Sequence, residues 1–458
     1  MNAWVERRNV GLFLAGKAVS QSGSALYTFA AGWYVLAQTG SAATFGLTLA
    51  LGILPMVLVM PLAGILADRL NRKRMVVGMD ALNGLWFLGM GSYAAFYGLS
   101  LGVVYATAVV TTVLTTLFSV SLEASKLALV TEGRLMSLNA SSRVVESVVS
   151  VAGPVFGGLV YAWIGVEAFL WINGISCLVS AVSESWMQYE DAGEKADVGM
   201  DAGTDAGTDA GTDRTASAEA SGSAGIWRSM GGDFSEGLKL VWGDSGLRSL
   251  AWQLMAINFF IGFCVSVPLP YVLHRAMEGG EKVLGLVQGA SPVGVIIGAL
   301  LIGRLKWGVD RAMKAAGVAL VASFMIIGGL MGVMGWQGVT VGAAGLLGSY
   351  AWMGLIPGML LLGIGIAWID LPLMYYFQIA VPEHMKGRVL SVVMSLAKLV
   401  LPVALLGAGV LVGYVPAWAM TLAGGGFYLV TLLKDWRKVA CETCETCETG
   451  GGREGIEL

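Results

Sequence analysis

The chain has 458 residues, 56% of them hydrophobic and only 13% charged, and its mean hydropathy of +0.72 lies far outside the range of soluble domains. This excludes a water-soluble globular domain and leaves an all-α polytopic membrane protein; at about 20 residues per span plus loops, the apolar segments accommodate about twelve transmembrane helices. The formal net charge of -3 marks no partner, nucleic acid included, so the placing of the charges is what informs.

Arg7 and Arg8 precede a first apolar run that lacks a small-residue cleavage site and reads as an uncleaved span. Span one, residues 10–37, carries Gly16, Lys17, Ser20, Gln21, Ser22, Gly23 and Ser24, a polar stripe too dense for a lipid-facing helix, so it is expected to face protein or a wet cavity. Span two, residues 42–67, contains Pro55 and Pro61. Its end runs Gly64-Ile-Leu-Ala-Asp68-Arg69-Leu-Asn-Arg72-Lys73-Arg74. Two helices joined by so few residues form an antiparallel hairpin, and the cations mark its turn as cytoplasmic. Span three, residues 75–97, carries Asp80 and Asn83; span four, residues 101–130, carries Glu123 and Lys126 near its inner end. Span five begins near residue 140 with Arg143 and Glu146, followed by Gly153, Pro154, Gly157 and Gly158, and span six ends near Trp186.

Residues 188–245 contain an Asp-Ala-Gly-Thr repeat from Asp201 to Asp213 and then a Ser/Ala/Gly tract. So little apolar surface cannot offset the entropy of ordering, and the stretch reads as a disordered linker, born of repeat slippage or serving as a binding segment. Spans seven to twelve follow at residues 247–273, 283–302, 312–333, 351–378, 389–413 and 416–433. Span ten is expected to be broken, because residues 341–379 are too long for one helix and Pro357 and Pro372 interrupt them. Leu129-Val-Thr-Glu-Gly-Arg-Leu-Met-Ser-Leu138 before span five matches Ala380-Val-Pro-Glu-His-Met-Lys-Gly-Arg-Val-Leu-Ser-Val392 before span eleven, which points to a six-plus-six duplication. The organisation is thus an N-terminal six-helix half (1–187), the cytoplasmic linker (188–245), a C-terminal six-helix half (246–438) and a disordered cytoplasmic tail (439–458). Short segments on the side of the Asp68–Arg74 loop hold 16 Lys and Arg, whereas those on the other side hold two, Arg275 and Lys282. Both termini and the linker are therefore expected in the cytoplasm.

The spacing Gly64-x-x-x-Asp68-Arg69-x-x-Arg72-Lys73 closely resembles the signature loop between the second and third helices of the major facilitator superfamily, with Asn71 where a glycine is commonest. Gln378, Val381, Pro382, Glu383, Gly387, Arg388 and Ser391 resemble the start of span eleven in the bacterial branch of macrolide-efflux and enterobactin-exporter proteins. Arg8-Asn9, Ser20, Gly23, Trp33 and Thr39-Gly40-Ser41-Ala42 match the beginning of the same branch. Gly153, Pro154, Gly157 and Gly158 resemble the span-five motif of proton-driven exporters; simple tight packing would need the same residues. Two departures stand out: Ser24 occupies a position where many relatives have an acid, and span four lacks the intramembrane Arg of better-studied drug antiporters. The resemblance implies a twelve-span secondary transporter in the bacterial inner membrane working by alternating access. It also implies that Asp68 latches the outward-open state at the inner interface between halves, with Arg69, Arg72 and Lys73 as partners.

Charge inside a membrane is costly and is read as functional unless it is paired. The acids are Asp80, Glu123, Glu146 and Asp370, and the bases Lys17, Lys126, Arg143 and Lys398. Glu123 with Lys126, and Arg143 with Glu146, are i, i+3 neighbours that can neutralise each other or snorkel at inner helix ends. Lys17, Asp80, Asp370 and Lys398 lack such a neighbour, and Lys17 and Asp370 are the leading cavity candidates. Asp370, with Asp80 second, is expected to couple protons to transport, Asp370 alternating between a wet outer face and a Lys398-paired inner state.

His274 and His384 fall in loops, and no hydrolase triad, Walker loop or zinc-ligand spacing occurs in the bundle, so the chain reads as a non-enzyme without cofactor. Cys441, Cys444 and Cys447 form a triplet repeat that lacks a fourth ligand; it reads as slipped tail, with a thiophilic metal the alternative. The 22 Met and 15 Trp suit an adaptable apolar cavity as well as lipid contact. The expectation is a monomeric exporter of a small amphipathic molecule, drug-, macrolide- or siderophore-like, driven by proton antiport. An importer or lysophospholipid flippase of the same fold and a non-transporting membrane scaffold or sensor are the alternatives.

Overall fold

The computed structural model describes residues 3–189, 238–243, 245–277, 279–305, 307–336, 344–380, 386–427 and 429–430. Most of the linker, the tail with Cys441, Cys444 and Cys447, and Pro382 and His384 lie outside the described residues. Among the described residues all regular structure is helical. The first half comprises α1 (Ala3–Thr39), α2 (Ala42–Leu51), α3 (Leu54–Arg69), α4 (Arg72–Tyr97), α5 (Leu101–Leu129) and α6 (Glu132–Ser185). The second comprises α7 (Ser245–Ile261), α8 (Pro268–Ala276), α9 (Gly280–Leu305), α10 (Val309–Trp336), α11 (Ala344–Ala380), α12 (Lys386–Leu411) and α13 (417–427).

Among the described residues eight stretches are long and apolar enough to cross a membrane, and one of them, Gly133–Ser185, has 53 residues, enough for two passes. Gly165 breaks α6 with φ 69° and ψ 175°. In the first arm Gly153 and Gly157 meet Ala25 and Phe29, ascending along α1; in the second, Asn173 and Glu184 meet Gly23 and Gly16, descending. The arms are therefore antiparallel. Adding α1, α4 and α13, which hydropathy and length leave out, completes the twelve spans.

Side-chain caps start several helices: Asn71 Oδ1 accepts the Arg74 N–H at 3.1 Å and opens α4 directly after α3 ends at Arg69. Span two divides at Gly52 and Ile53, with Pro55 in the first turn of α3 where its missing N–H costs nothing. Span seven contains a π turn, Gly262–Ser266, between α7 and α8. Span ten is not broken: α11 runs as one helix of 37 residues through Pro357 and Pro372. That corrects the expectation. Within a bundle, neighbouring helices relieve the backbone groups that a proline frees, and at 1.5 Å per residue the helix reaches about 55 Å, so it projects beyond a hydrocarbon layer of about 30 Å.

Gly40, Gly98, Gly165 and Gly279 have φ between 58° and 79°, the left-handed region that L side chains resist. They form the turns after α1, after α4, within α6 and before α9, all at the end of the bundle away from the Asp68–Arg74 loop. At this turn end the two halves close against each other. A Cβ on Gly158 would strike the Glu281 carbonyl, one on Gly285 the Pro154 carbonyl, one on Gly46 the Leu405 carbonyl and one on Gly409 the Ala42 carbonyl. Trp33 of α1 meets His274 edge-on with centroids 5.5 Å apart, and His274 stands in the last turn of α8 and not in the loop expected.

The first half has two apolar clusters. Tyr27, Phe87, Phe169 and Leu170 pack towards the turn end, and Phe13, Phe118, Leu122, Leu129 and Met187 towards the basic end. The stretch of α1 between them is the polar stripe, so a polar layer crosses the half. In the second half one large cluster extends over to Phe29, Trp33, Leu36 and Phe45 of α1 and α2. Outward faces carry Leu58, Phe96, Trp163 and Leu300 exposed, as lipid contact requires. With lipid tails as apolar as leucine, close packing holds such clusters together.

Candidate functional site

Lys17 is 3% exposed, and its ammonium is fully occupied. Nζ donates to Glu146 Oε1 at 2.7 Å, Ser142 Oγ at 2.6 Å and Glu123 Oε1 at 3.0 Å. The second oxygen of Glu123 takes Lys126 Nζ at 2.5 Å, and that of Glu146 takes Arg143 Nη1 at 3.0 Å. Lys126 also donates to Asn139 Oδ1 at 3.0 Å. The result is a chain of alternating sign, Lys126, Glu123, Lys17, Glu146, Arg143, running from α5 across α1 to α6. Lys17 and Lys126 share one further neighbour, the Phe13 ring, at 5.9 and 5.7 Å from its centroid. Each i, i+3 pair expected from sequence is present, and Lys17, which had no sequence neighbour, joins them.

The network lines a cavity of about 600 Å³, with Gln21, Phe118 and Ser119 in the same wall. Side-chain exposure rises from 3% at Lys17 through 33% at Glu146 and 50% at Glu123 to 84% at Arg143, so the site is dry at its floor and wet at its mouth. Three bases and two acids leave one positive charge. Carboxylate oxygens and ammonium groups within one apolar-walled space can take both a polar head and an apolar body.

A second cluster occupies the polar layer between α1, α4 and the second arm of α6. Ser20 Oγ donates to Asp80 Oδ1 at 2.9 Å, Asn83 Nδ2 lies 3.6 Å from Cys177 Sγ, and Ser180 Oγ reaches both the Gly16 carbonyl and Glu184 Oε1 at 3.0 Å. Glu184 is fully buried and was missed by sequence reasoning, because an acid beside the end of a span looks interfacial. Ser180 one turn earlier was the available signal.

Asp370 on α11 is half-buried and Lys398 on α12 is exposed. Neither forms an ion pair or hydrogen bond with a described residue, so the structure does not bring these two together. Asp68 and Arg69 form the last turn of α3, and Gly64 has open space around it. Arg72 donates to the Ala124 carbonyl at 3.2 Å and Lys73 to the Met187 carbonyl at 2.8 Å. Both cations thus meet carbonyls near the C-terminal ends of helices in their own half, where the helix dipole favours them. Gly387 lies in the first turn of α12 with Arg388 after it.

At the same end Glu6 binds the α5–α6 turn. Its Oε1 accepts from the Thr131 hydroxyl at 2.7 Å and the Thr131 N–H at 2.8 Å, and Arg134 lies 3.4 Å from Oε2. The Thr131 hydroxyl and N–H hold the Glu6 carboxyl below the usual range, with Arg134 adding to the effect.

The sequence model of the Major Facilitator Superfamily matches residues 13–405. The chain belongs to this superfamily. Relatives are distant but run nearly full length. Macrolide efflux protein A of Streptococcus pyogenes is 21% identical over 393 residues, 86% of each chain. The multidrug efflux pump Tap of Mycolicibacterium fortuitum is 26% identical over 407 residues, 87% of this chain and 88% of that one. Among solved structures, a bacterial homologue of the iron transporter ferroportin in an inward-facing state superposes with TM-score 0.61 at 17% identity, covering 95% of this chain and 99% of that one. The nucleoside transporter NupG gives 0.65 at 10% identity, with the same two coverages. These likenesses fix the fold of a superfamily transporter in two six-helix halves. The ion-paired cavity and the buried polar layer both belong to the first half.

Proposed function

We propose that this superfamily member exports a small amphipathic organic molecule by proton antiport and alternating access. The reading rests chiefly on one observation: a cavity floored by the Lys17 ion-pair network lies on the basic side of a bundle sealed by glycine contacts at the other end. With the basic end in the cytoplasm, as the Lys and Arg asymmetry favours, this is an inward-open state ready to load substrate from the cell, and both termini and the linker are cytoplasmic. The efflux relatives support the direction. Glu123 and Glu146 can exchange Lys17 for a cationic group of the substrate, while Phe118 and Leu122 accept its apolar part. Asp370 and Asp80 are the coupling acids; Asp68 latches the opposite state; the chain works as a monomer.

The test is made in everted membrane vesicles, following the pH gradient as macrolides, siderophores or cationic dyes are added, against vesicles lacking the protein. Compound-dependent dissipation is expected. Silence across the panel, or pH-driven transport retained in both Asp370→Asn and Asp80→Asn, removes the coupling scheme.

A further inference from the structure

Two carboxyls of the first half stand without a counter-ion. Asp80 is 2% exposed and Glu184 0%, and among the described residues no Lys, Arg or His pairs with either. Each has one oxygen that accepts a serine hydroxyl, Ser20 to Asp80 Oδ1 at 2.9 Å and Ser180 to Glu184 Oε1 at 3.0 Å. Among the described residues the other oxygen of each, Asp80 Oδ2 and Glu184 Oε2, is buried with no partner, and so is the amide oxygen of Asn83, which stands i+3 from Asp80 on α4.

Several cations on the adjoining elements are engaged elsewhere. On α1, Lys17 binds Glu123 and Glu146, and Arg8 reaches the Trp186 carbonyl at 3.4 Å. On α5, Lys126 binds Glu123, and on α4, Lys73 binds the Met187 carbonyl. The remaining titratable neighbours are Cys177 and Tyr189, the latter with its hydroxyl buried and unpartnered. An ionised carboxylate in such a place is costly. A proton on Asp80 Oδ2 would remove the charge and turn that oxygen from an unpaired acceptor into a donor.

We propose that Asp80 and Glu184 form a proton-holding pair, each neutralised by one bound proton in this state. With Ser180 and Ser20 they make a route from the basic end into the polar layer, separate from the ion-paired cavity. Glu184 is one residue from the end of α6, whereas Asp80 lies eight residues into α4, or about 12 Å deep at 1.5 Å per residue. A proton entering at Glu184 passes to Asp80 by exchange through the Ser180 hydroxyl, which neighbours both carboxyls, one O–H bond forming as another breaks. Ser20 and Lys17 are i, i+3 on α1, so a movement of α1 that loosens the cavity network also disturbs the Asp80 hydrogen bond. That the protons drive export rests on the antiport reading above; that they are held here does not.

Infrared difference spectroscopy of the purified full chain in lipid nanodiscs, titrated with pH, reads protonated carboxyls by their C=O stretch. Glu184→Gln is expected to remove one buried-carboxyl band and Asp80→Asn another, while Glu123→Gln leaves both; Asp370→Asn assigns any band from the second half. Should Asp80→Asn not fold, Ser20→Ala shifts the Asp80 band in frequency without removing it. If no band is lost with Glu184→Gln and none lost or shifted with the Asp80 or Ser20 variant, the pair is ionised and the proposal is overturned. Bands present without substrate-driven proton movement in vesicles would keep the pair and remove antiport; bands absent with proton-coupled transport intact would do the reverse.

Discussion

Replacing Gly285 with Ala should drive the molecule out of the observed state. A Cβ on Gly285 would sit against the Pro154 carbonyl and within 3.2 Å of the Gly158 Cα, both backbone and both unable to turn aside. Overpacking of this kind costs about 1–3 kcal/mol, and it falls only on the state closed at the turn end, because separating α6 from α9 relieves it. The ratio of open to closed at that end should therefore rise about 5- to 150-fold. The assay is pulsed electron resonance between spin labels at Gln38 and Tyr414, one exposed at the turn end of each half, with the five native cysteines replaced. Long-distance population is expected to grow in Gly285→Ala. Gly89→Ala on α4, whose Cβ would meet nothing within 4 Å, is the control. Equal distance distributions in wild type and folded Gly285→Ala would refute the idea that backbone contact seals this end.

Lys17→Met should destabilise the chain by about 2 kcal/mol in thermal unfolding, less than breaking a fully buried pair because Glu123 is half exposed; Glu146→Gln in the same chain should restore part of the loss, and no recovery would mean that Lys17 acts only by packing. Glu6 contributes to pH dependence with a definite sign. Its folded-state pKa is depressed, so its contribution is complete above the usual glutamate pKa of about 4.3 and disappears as pH falls through the lower folded value. Glu6→Gln should flatten that acid limb of a stability–pH curve, and an unchanged limb would show the turn contact to be idle. Deleting residues 190–225 should leave transport in vesicles intact; loss of transport with normal membrane insertion would favour a partner-recruiting role for the linker.

Much of the architecture was legible because a membrane makes local composition decisive. Apolar runs gave the spans, the loop around Asp68 to Arg74 gave the hairpin, and the dense polar stripe of α1 gave the helix that faces the cavity. The two i, i+3 pairs were legible for the same reason, since helical geometry alone brings them together. Lys17 was recognised as important without its partners, because Glu123 and Glu146 lie 106 and 129 residues away and only tertiary packing joins them. Glu184 was lost to a rule about helix ends that holds at a lipid interface and fails where α1 covers the end with Gly16. The break expected in span ten was wrong because proline was weighed as it would be in water, where a freed carbonyl has no helical neighbour to relieve it.

The two ends of the cavity are built from forces with different reach. The glycine seal relies on dispersion between touching backbones, which fades within about 1 Å of separation, while the charged chain from Lys126 to Arg143 interacts over distances that only salt curtails, about 8–10 Å at physiological strength. Parting the turn end is consequently abrupt, its cohesion vanishing in one small step, whereas the charged chain, which lies within the first half, loosens by degrees. Ionic strength should therefore tune the charged network while leaving the cohesion of the glycine seal almost unchanged.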